Sequence, residues 1–214
     1  MIGQIAATLL VMIVSGTLYG ALRDRYPKGS LIFKALATCM AVLNCGSGLA
    51  EGGRDASAGF LFAGLLCCVL ADVLLELEFL WGVIVFGIAH LCFITGIYKL
   101  EGIRIGSVLG MFGIYAVLFL IFRKGLPKLG KLRIPILIYA VVLSFMVSMA
   151  VSAAIIIPGI SRIFLAVGAC AFLVSDSLIA VRTIEKKKSV LLGAVLLGLY
   201  YGAVYMLAMS VYVG

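Results

Sequence analysis

Charge is what this sequence has least of. Only 17 Lys and Arg and 9 Asp and Glu occur among 214 residues, half the share that covers a water-soluble domain. No polar stretch is long enough to be a soluble domain of its own. Histidine and tryptophan occur once each. Also missing are a phosphate-cradling glycine loop, zinc-ligand spacing, a Gly-x-Ser-x-Gly elbow and an HExxH pair, which removes the common ATPase and hydrolase routes. The first 22 residues contain no Lys or Arg, so the basic start of a cleavable signal is absent and this segment reads as a retained first span.

What is present is apolar sequence. The chain is 64% hydrophobic, with a mean hydropathy of +1.27. Since a helix needs about 20 apolar residues to cross a bilayer, the charge-free runs predict spans at 2–22, 31–50, 57–76, 79–98, 105–122, 134–157, 161–181 and 189–212. Pro158-Gly159 followed by Arg162 divides one long run into two, which makes eight spans rather than seven. The expected fold is an all-α integral membrane bundle forming a single transmembrane domain over 1–214. Short connections predict antiparallel neighbours.

The six cysteines, at 39, 45, 67, 68, 92 and 170, all fall inside apolar runs and suggest neither a disulfide frame nor a metal site. A net charge of +8 invites a nucleic-acid reading, but the basic residues sit in short loops, where topology explains them better. Twelve Lys and Arg fall in one set of alternate loops and four in the other, with Lys34 inside span two. The positive-inside rule then expects the richer set in the cytoplasm and both termini outside.

A weak internal repeat is visible. GLLCCVLADVLL around Asp72 and GACAFLVSDSLI around Asp176 both read Gly, seven residues, Asp, one residue, Leu, at an offset of 104. In the spans that follow, Gly82, Gly87 and His90 keep the spacing of Gly193, Gly198 and Tyr201. Two parallel four-helix halves, 1–103 and 104–214, would be related by an axis along the membrane normal and would bring the two aspartates face to face. Chance recurrence of small residues in packed helices is the plain alternative.

An ionisable group inside a span costs on the order of 2.5 to 3.5 kcal/mol on insertion scales, so it normally faces a partner or a watery cavity. Asp72 and Asp176 are the candidates, each about one turn from the same end of its predicted span. His90 lies mid-span, able to hydrogen-bond across helices or to a substrate. Lys34 can hold a carboxylate or a lipid phosphate, or snorkel to the headgroups. Tyr139, Tyr200 and Tyr201 offer hydroxyls or serve as packing residues. Glu76 shares the helix face of Asp72 but reads, with Glu78, as a solvated corner. One cavity holding Lys34, Asp72, Tyr139 and Asp176, with His90 and Tyr201 below, is the expected site. No metal or cofactor is called for.

The run LLCCVLADVLLELEFLWGVIVFGIAHLCFITGIY, with FLVSDSLIAVRT about a hundred residues on, resembles the YhhN-like family of membrane lysoplasmalogenases. Asp72, Phe86, Gly87, Ala89, His90, Ser175, Asp176, Leu178 and Ala180 match its pattern, as do Lys34 and Tyr200 or Tyr201. Ala71 and Ala35 depart from it where a Gly and a Pro are common. The resemblance implies hydrolysis of the vinyl ether of a lysophospholipid substrate to a fatty aldehyde and a glycerophospho-ethanolamine or glycerophospho-choline. Such cleavage needs one carboxylic acid to protonate the β-carbon and one carboxylate to steady the cation or activate water, as in paired-acid glycosidases. Asp72 and Asp176 would share these roles, Lys34 would bind the phosphate, and His90 or Tyr201 would orient water. The competing class is a small transporter or lipid-binding protein using the same acids for a proton or cation.

Overall fold

The computed structural model describes residues 2–51, 55–185 and 189–213. Arg54 and Lys186 to Lys188, four of the charges in the loop comparison, lie outside them. The described residues form eight long α-helices: α1 (Ile2–Leu22), α2 (Leu31–Glu51), α3 (Ala56–Leu77), α4 (Phe79–Glu101), α5 (Ile105–Phe122), α6 (Arg133–Ile156), α7 (Ile160–Glu185) and α8 (Val190–Tyr212). Each is long and apolar enough to cross a membrane, as the hydropathy predicts, and no strand occurs among the described residues. A seven-residue 3-10 helix, Leu126–Leu132, bridges α5 and α6.

The helices end where the sequence stops supporting them. Glu78 is a single extended residue between α3 and α4 (φ −143°, ψ 93°), so these two fold back on one another almost without a loop. That hairpin requires Gly82: a Cβ there would lie 2.5 Å from the Leu75 Cα, an approach only glycine permits. Ile157 closes α6 and α7 begins at Ile160, which places the expected break at Pro158-Gly159.

α3 packs most extensively on α4, and α7 on α8. Helices α2, α3, α4, α6, α7 and α8 make a closed inner ring, since α2 also meets α8 and α4 also meets α6. α1 leans on α2 and touches α8 lightly, while α5 is held chiefly by α6. Most polar residues inside the spans find partners, as a hydrocarbon surround demands. On the α1, α2 and α8 side, Asn44 Nδ2 donates to Thr8 Oγ1 at 2.9 Å and Tyr205 donates to the Ile5 carbonyl at 2.9 Å. At the end of α4, Arg162 donates to Glu101 at 2.8 Å.

Candidate functional site

Three helices bring polar residues to one end of the ring by the same device, a pair four residues apart on one face. Lys34 and Thr38 lie on α2, Asp72 and Glu76 on α3, and Tyr19 ends α1 with Arg23 one turn beyond. Asp72 is buried, 1% exposed, yet it is well supplied with partners. Thr38 donates to its Oδ2 at 2.5 Å and Tyr200 to the same oxygen at 2.8 Å, while the Lys34 ammonium lies 3.9 Å from Oδ1. Lys34 is itself buried and donates to Glu76 at 2.9 Å, as Tyr19 does at 2.6 Å. Glu76 is therefore more than a solvated corner: its side chain is 42% exposed, as expected, but the helix turn that separates it from Asp72 also carries it into the same charge cluster.

Asp176 has a different setting. It accepts a hydrogen bond from Tyr139 on α6 and has no ion pair among the described residues. Because α7 runs on to Glu185, Asp176 lies nine residues, or about 14 Å, from that end rather than one turn, at a rise of about 1.5 Å per residue. The two acids are close enough for the charge of one to act on the other, and buried Cys68, one turn before Asp72, feels both.

Each acid lines its own cavity. The Asp72 cavity, about 380 Å³, is polar at its rim, where Lys34, Glu76, Arg23 and Arg182 gather. The Asp176 cavity, about 100 Å³, is apolar, enclosed by α4 to α7, with Leu118, Phe119 and Leu143 in its wall. Leu75, Phe79, Phe86, Ile179 and Thr183 line both, so the cavities abut across one apolar partition. The single cavity expected from the sequence is in fact two, because large side chains from α3, α4 and α7 fill the middle. Phe86, which lines both, belongs to a packed aromatic group in the middle of the bundle. Phe172 meets Phe86 edge-on at 5.9 Å, Tyr200 at 5.5 Å and His90 at 4.7 Å between ring centres.

The remaining expected residues separate. His90 is fully buried and lines none of these cavities. Its Nδ1 meets the Phe86 carbonyl of its own helix at 2.6 Å; a carbonyl only accepts, so the proton sits on Nδ1. Tyr200 belongs to the Asp72 site. Tyr201, the next residue, turns about 100° around α8 and lines a groove on the α1 side. Tyr19, Thr38, Arg23 and Arg182 are site residues the sequence reading passed over. Tyr19 and Arg23 carried a legible signal, the four-residue spacing of two polar groups at the end of a span.

These features define a class: a multi-pass α-helical membrane protein with one buried acid at a polar cavity and a second, half-buried acid at an adjoining apolar cavity. The chain belongs to the YhhN family, whose model matches residues 29–211. No curated protein and no solved structure matches it.

Proposed function

We propose that this protein hydrolyses the vinyl ether bond of a lysophospholipid, releasing a fatty aldehyde and a glycerophosphodiester. The observation that carries the reading is the partition: one acid faces a polar cavity rimmed by cations, the other an apolar cavity, and the two share a wall. A lysoplasmalogen has the same plan, a charged headgroup and a hydrocarbon chain joined beside the reactive bond. Membership of the YhhN family supports a lysoplasmalogenase-like hydrolase.

In this reading the phosphate lies at Arg23 and Arg182, which make no ion pair among the described residues, and the chain enters the apolar cavity. Lys34 is drawn away from phosphate binding by its two carboxylates. Asp176, with a hydroxyl partner and no ion pair among the described residues, is the proton donor; Asp72, beside Lys34 and two hydroxyl donors, is the carboxylate. Protonation of the β-carbon turns the vinyl ether into an oxocarbenium ion. Water adds to the α-carbon as Asp72 takes its proton; the hemiacetal then breaks its bond to the glycerol oxygen, which leaves with the proton from Asp72, while the hemiacetal hydroxyl gives its proton back to Asp176. The sum is one water consumed, with no redox change. The charged residues of the Asp72 cavity all gather at one end of the bundle, an arrangement that favours this over transport, which needs access from both faces. The basic loops at the site's end would lie in the cytoplasm and both termini outside.

The test is aldehyde release by purified protein in detergent from lysoplasmenylcholine or lysoplasmenylethanolamine, coupled to NADH oxidation by alcohol dehydrogenase. Wild type should turn over, and Asp72→Asn and Asp176→Asn should each be inactive while eluting as folded protein. Release by either variant at near wild-type rate would sink the acid pair, and none from folded wild type would favour lipid binding or transport.

A further inference from the structure

A third cavity belongs to neither acid. It is a groove of about 640 Å³ between α1 and α8, running from Leu9 to Arg23 on one helix and from Val190 to Met206 on the other. At about 1.5 Å per residue these segments span roughly 21 and 24 Å, more than the roughly 15 Å of hydrocarbon that one leaflet contributes to a ~30 Å core. The groove exists because α1 is pinned near its start by the Thr8, Asn44 and Tyr205 hydrogen bonds but packs mainly on α2. Small residues, among them Gly20, Gly198 and Gly202, keep it open.

Two observations say what fills it. Arg23 and Leu197 line both this groove and the polar Asp72 cavity, so an anionic group held at Arg23 would have its apolar remainder in the groove. Tyr201 is only 7% exposed, and its hydroxyl has no hydrogen-bond partner among the described residues, although a buried hydroxyl ordinarily has one. It lines the groove with its ring against Gly16, close enough to Asp72 and Glu76 to feel their charge.

We propose that the α1/α8 groove binds the hydrocarbon chain of one glycerophospholipid from the bilayer, with its phosphate on Arg23 and the Tyr201 hydroxyl donating to the oxygen that joins chain to glycerol. The groove is then a side entrance by which a lipid passes from the membrane to the polar cavity. This goes beyond the hydrolytic reading and does not rest on it, because the site binds lipid whether or not a bond is broken.

The experiment uses the full chain in nanodiscs with a lysophosphatidylcholine carrying a diazirine in its ester-linked chain, and maps photolabelled peptides by mass spectrometry. Labelling should concentrate on α1 and α8. Gly198→Leu and Gly202→Leu fill the groove, since a Cβ at either position meets nothing within 4 Å, and should each lower that labelling at least fivefold. Gly113→Leu on α5, equally unobstructed and outside all three cavities, should leave it unchanged. Arg23→Ala should weaken labelling by the phospholipid but not by a diazirine fatty alcohol. Even labelling of all lipid-facing helices, or equal effects of Gly198→Leu and Gly113→Leu, would overturn the proposal. So would a wild-type dimer that Gly198→Leu makes monomeric with the groove unlabelled, since a second copy would then be the occupant. Groove labelling in a protein that releases no aldehyde would leave this inference standing and remove the hydrolytic one.

Discussion

Lys34 has two carboxylate neighbours, and distance alone picks the wrong one as its energetic partner. Glu76 is nearer, at 2.9 Å against 3.9 Å for Asp72. Yet the Glu76 side chain is 42% exposed and that of Asp72 2%, so the two pairs act through different media. With an effective dielectric of about 20 around Asp72 the pair attracts by roughly 4 kcal/mol, whereas near 80 at Glu76 the shorter pair gives roughly 1.4 kcal/mol, and solvent screening lowers the latter further. Dry surroundings outweigh 1 Å. Lys34→Met should therefore cost about 3 kcal/mol, the scale for stranding one member of a buried pair. Combining it with Asp72→Asn should recover most of that loss, whereas combining it with Glu76→Gln should recover less than about 1 kcal/mol. The assay is a double-mutant cycle on thermal unfolding in detergent, repeated at high salt, where the Glu76 coupling should shrink and the Asp72 coupling should not. A larger coupling for Glu76, or additive effects of Lys34→Met and Asp72→Asn, would refute the reasoning.

Removing single hydroxyls should separate the two acids. Thr38→Val takes a donor from a buried carboxylate and should cost about 1.5 to 3 kcal/mol in thermal unfolding, whereas Tyr139→Phe should lower aldehyde release more than stability, as seen by comparing turnover with melting temperature. Arg182→Ala should raise KM for the lysolipid at least about tenfold, the equivalent of one lost charge-assisted hydrogen bond, with kcat kept. Gly64→Leu drives a side chain into the Phe93 ring and the Ala89 carbonyl and should destabilise by about 1 to 3 kcal/mol, whereas Gly59→Ala, which meets nothing within 4 Å, should be neutral within about 0.5 kcal/mol.

Much of the fold was legible because a bilayer leaves few choices. Apolar runs of span length, separated by charged or Pro-Gly connections, must be helices. The break at Pro158-Gly159 was readable for that reason, whereas the true end of α7 was not: Arg182 and Thr183 look like a loop until amphipathic continuation past the hydrocarbon is allowed for. The site was half legible. Asp72 and Asp176 announced themselves by the cost of placing a charge in a span. Thr38 did not, because a threonine in an apolar helix usually bonds its own backbone, as Thr95 and Thr183 do here. His90 misled for the opposite reason. A lone intramembrane histidine invites a chemical role, but its Nδ1 caps a carbonyl of its own turn and its ring packs against Phe172 and Tyr139. The division of one expected cavity into two follows from the volumes of Phe79, Phe86 and Ile179, which spacing does not reveal.

The helix packing bears on why two acids should be there at all. Exchanging α1 to α4 for α5 to α8 maps the larger packing contacts onto one another: α1 on α2 becomes α5 on α6, α3 on α4 becomes α7 on α8, and the cross-contact α2 on α8 becomes α6 on α4. Gly64 and Gly168, each eight residues before its aspartate, both sit where a Cβ would meet backbone of the next helix, at the Ala89 and Ala203 carbonyls. We propose on this ground that residues 1–103 and 104–214 are two copies of one four-helix unit. A strictly symmetric pair of acids would have identical surroundings and no basis for one to give a proton while the other receives it. Symmetry is broken on the helix preceding each acid: α2 supplies Lys34 and Thr38 to Asp72, whereas α6 supplies Tyr139 alone to Asp176. Duplication would thus place two carboxylates within each other's field, and divergence of α2 from α6 would give them different work.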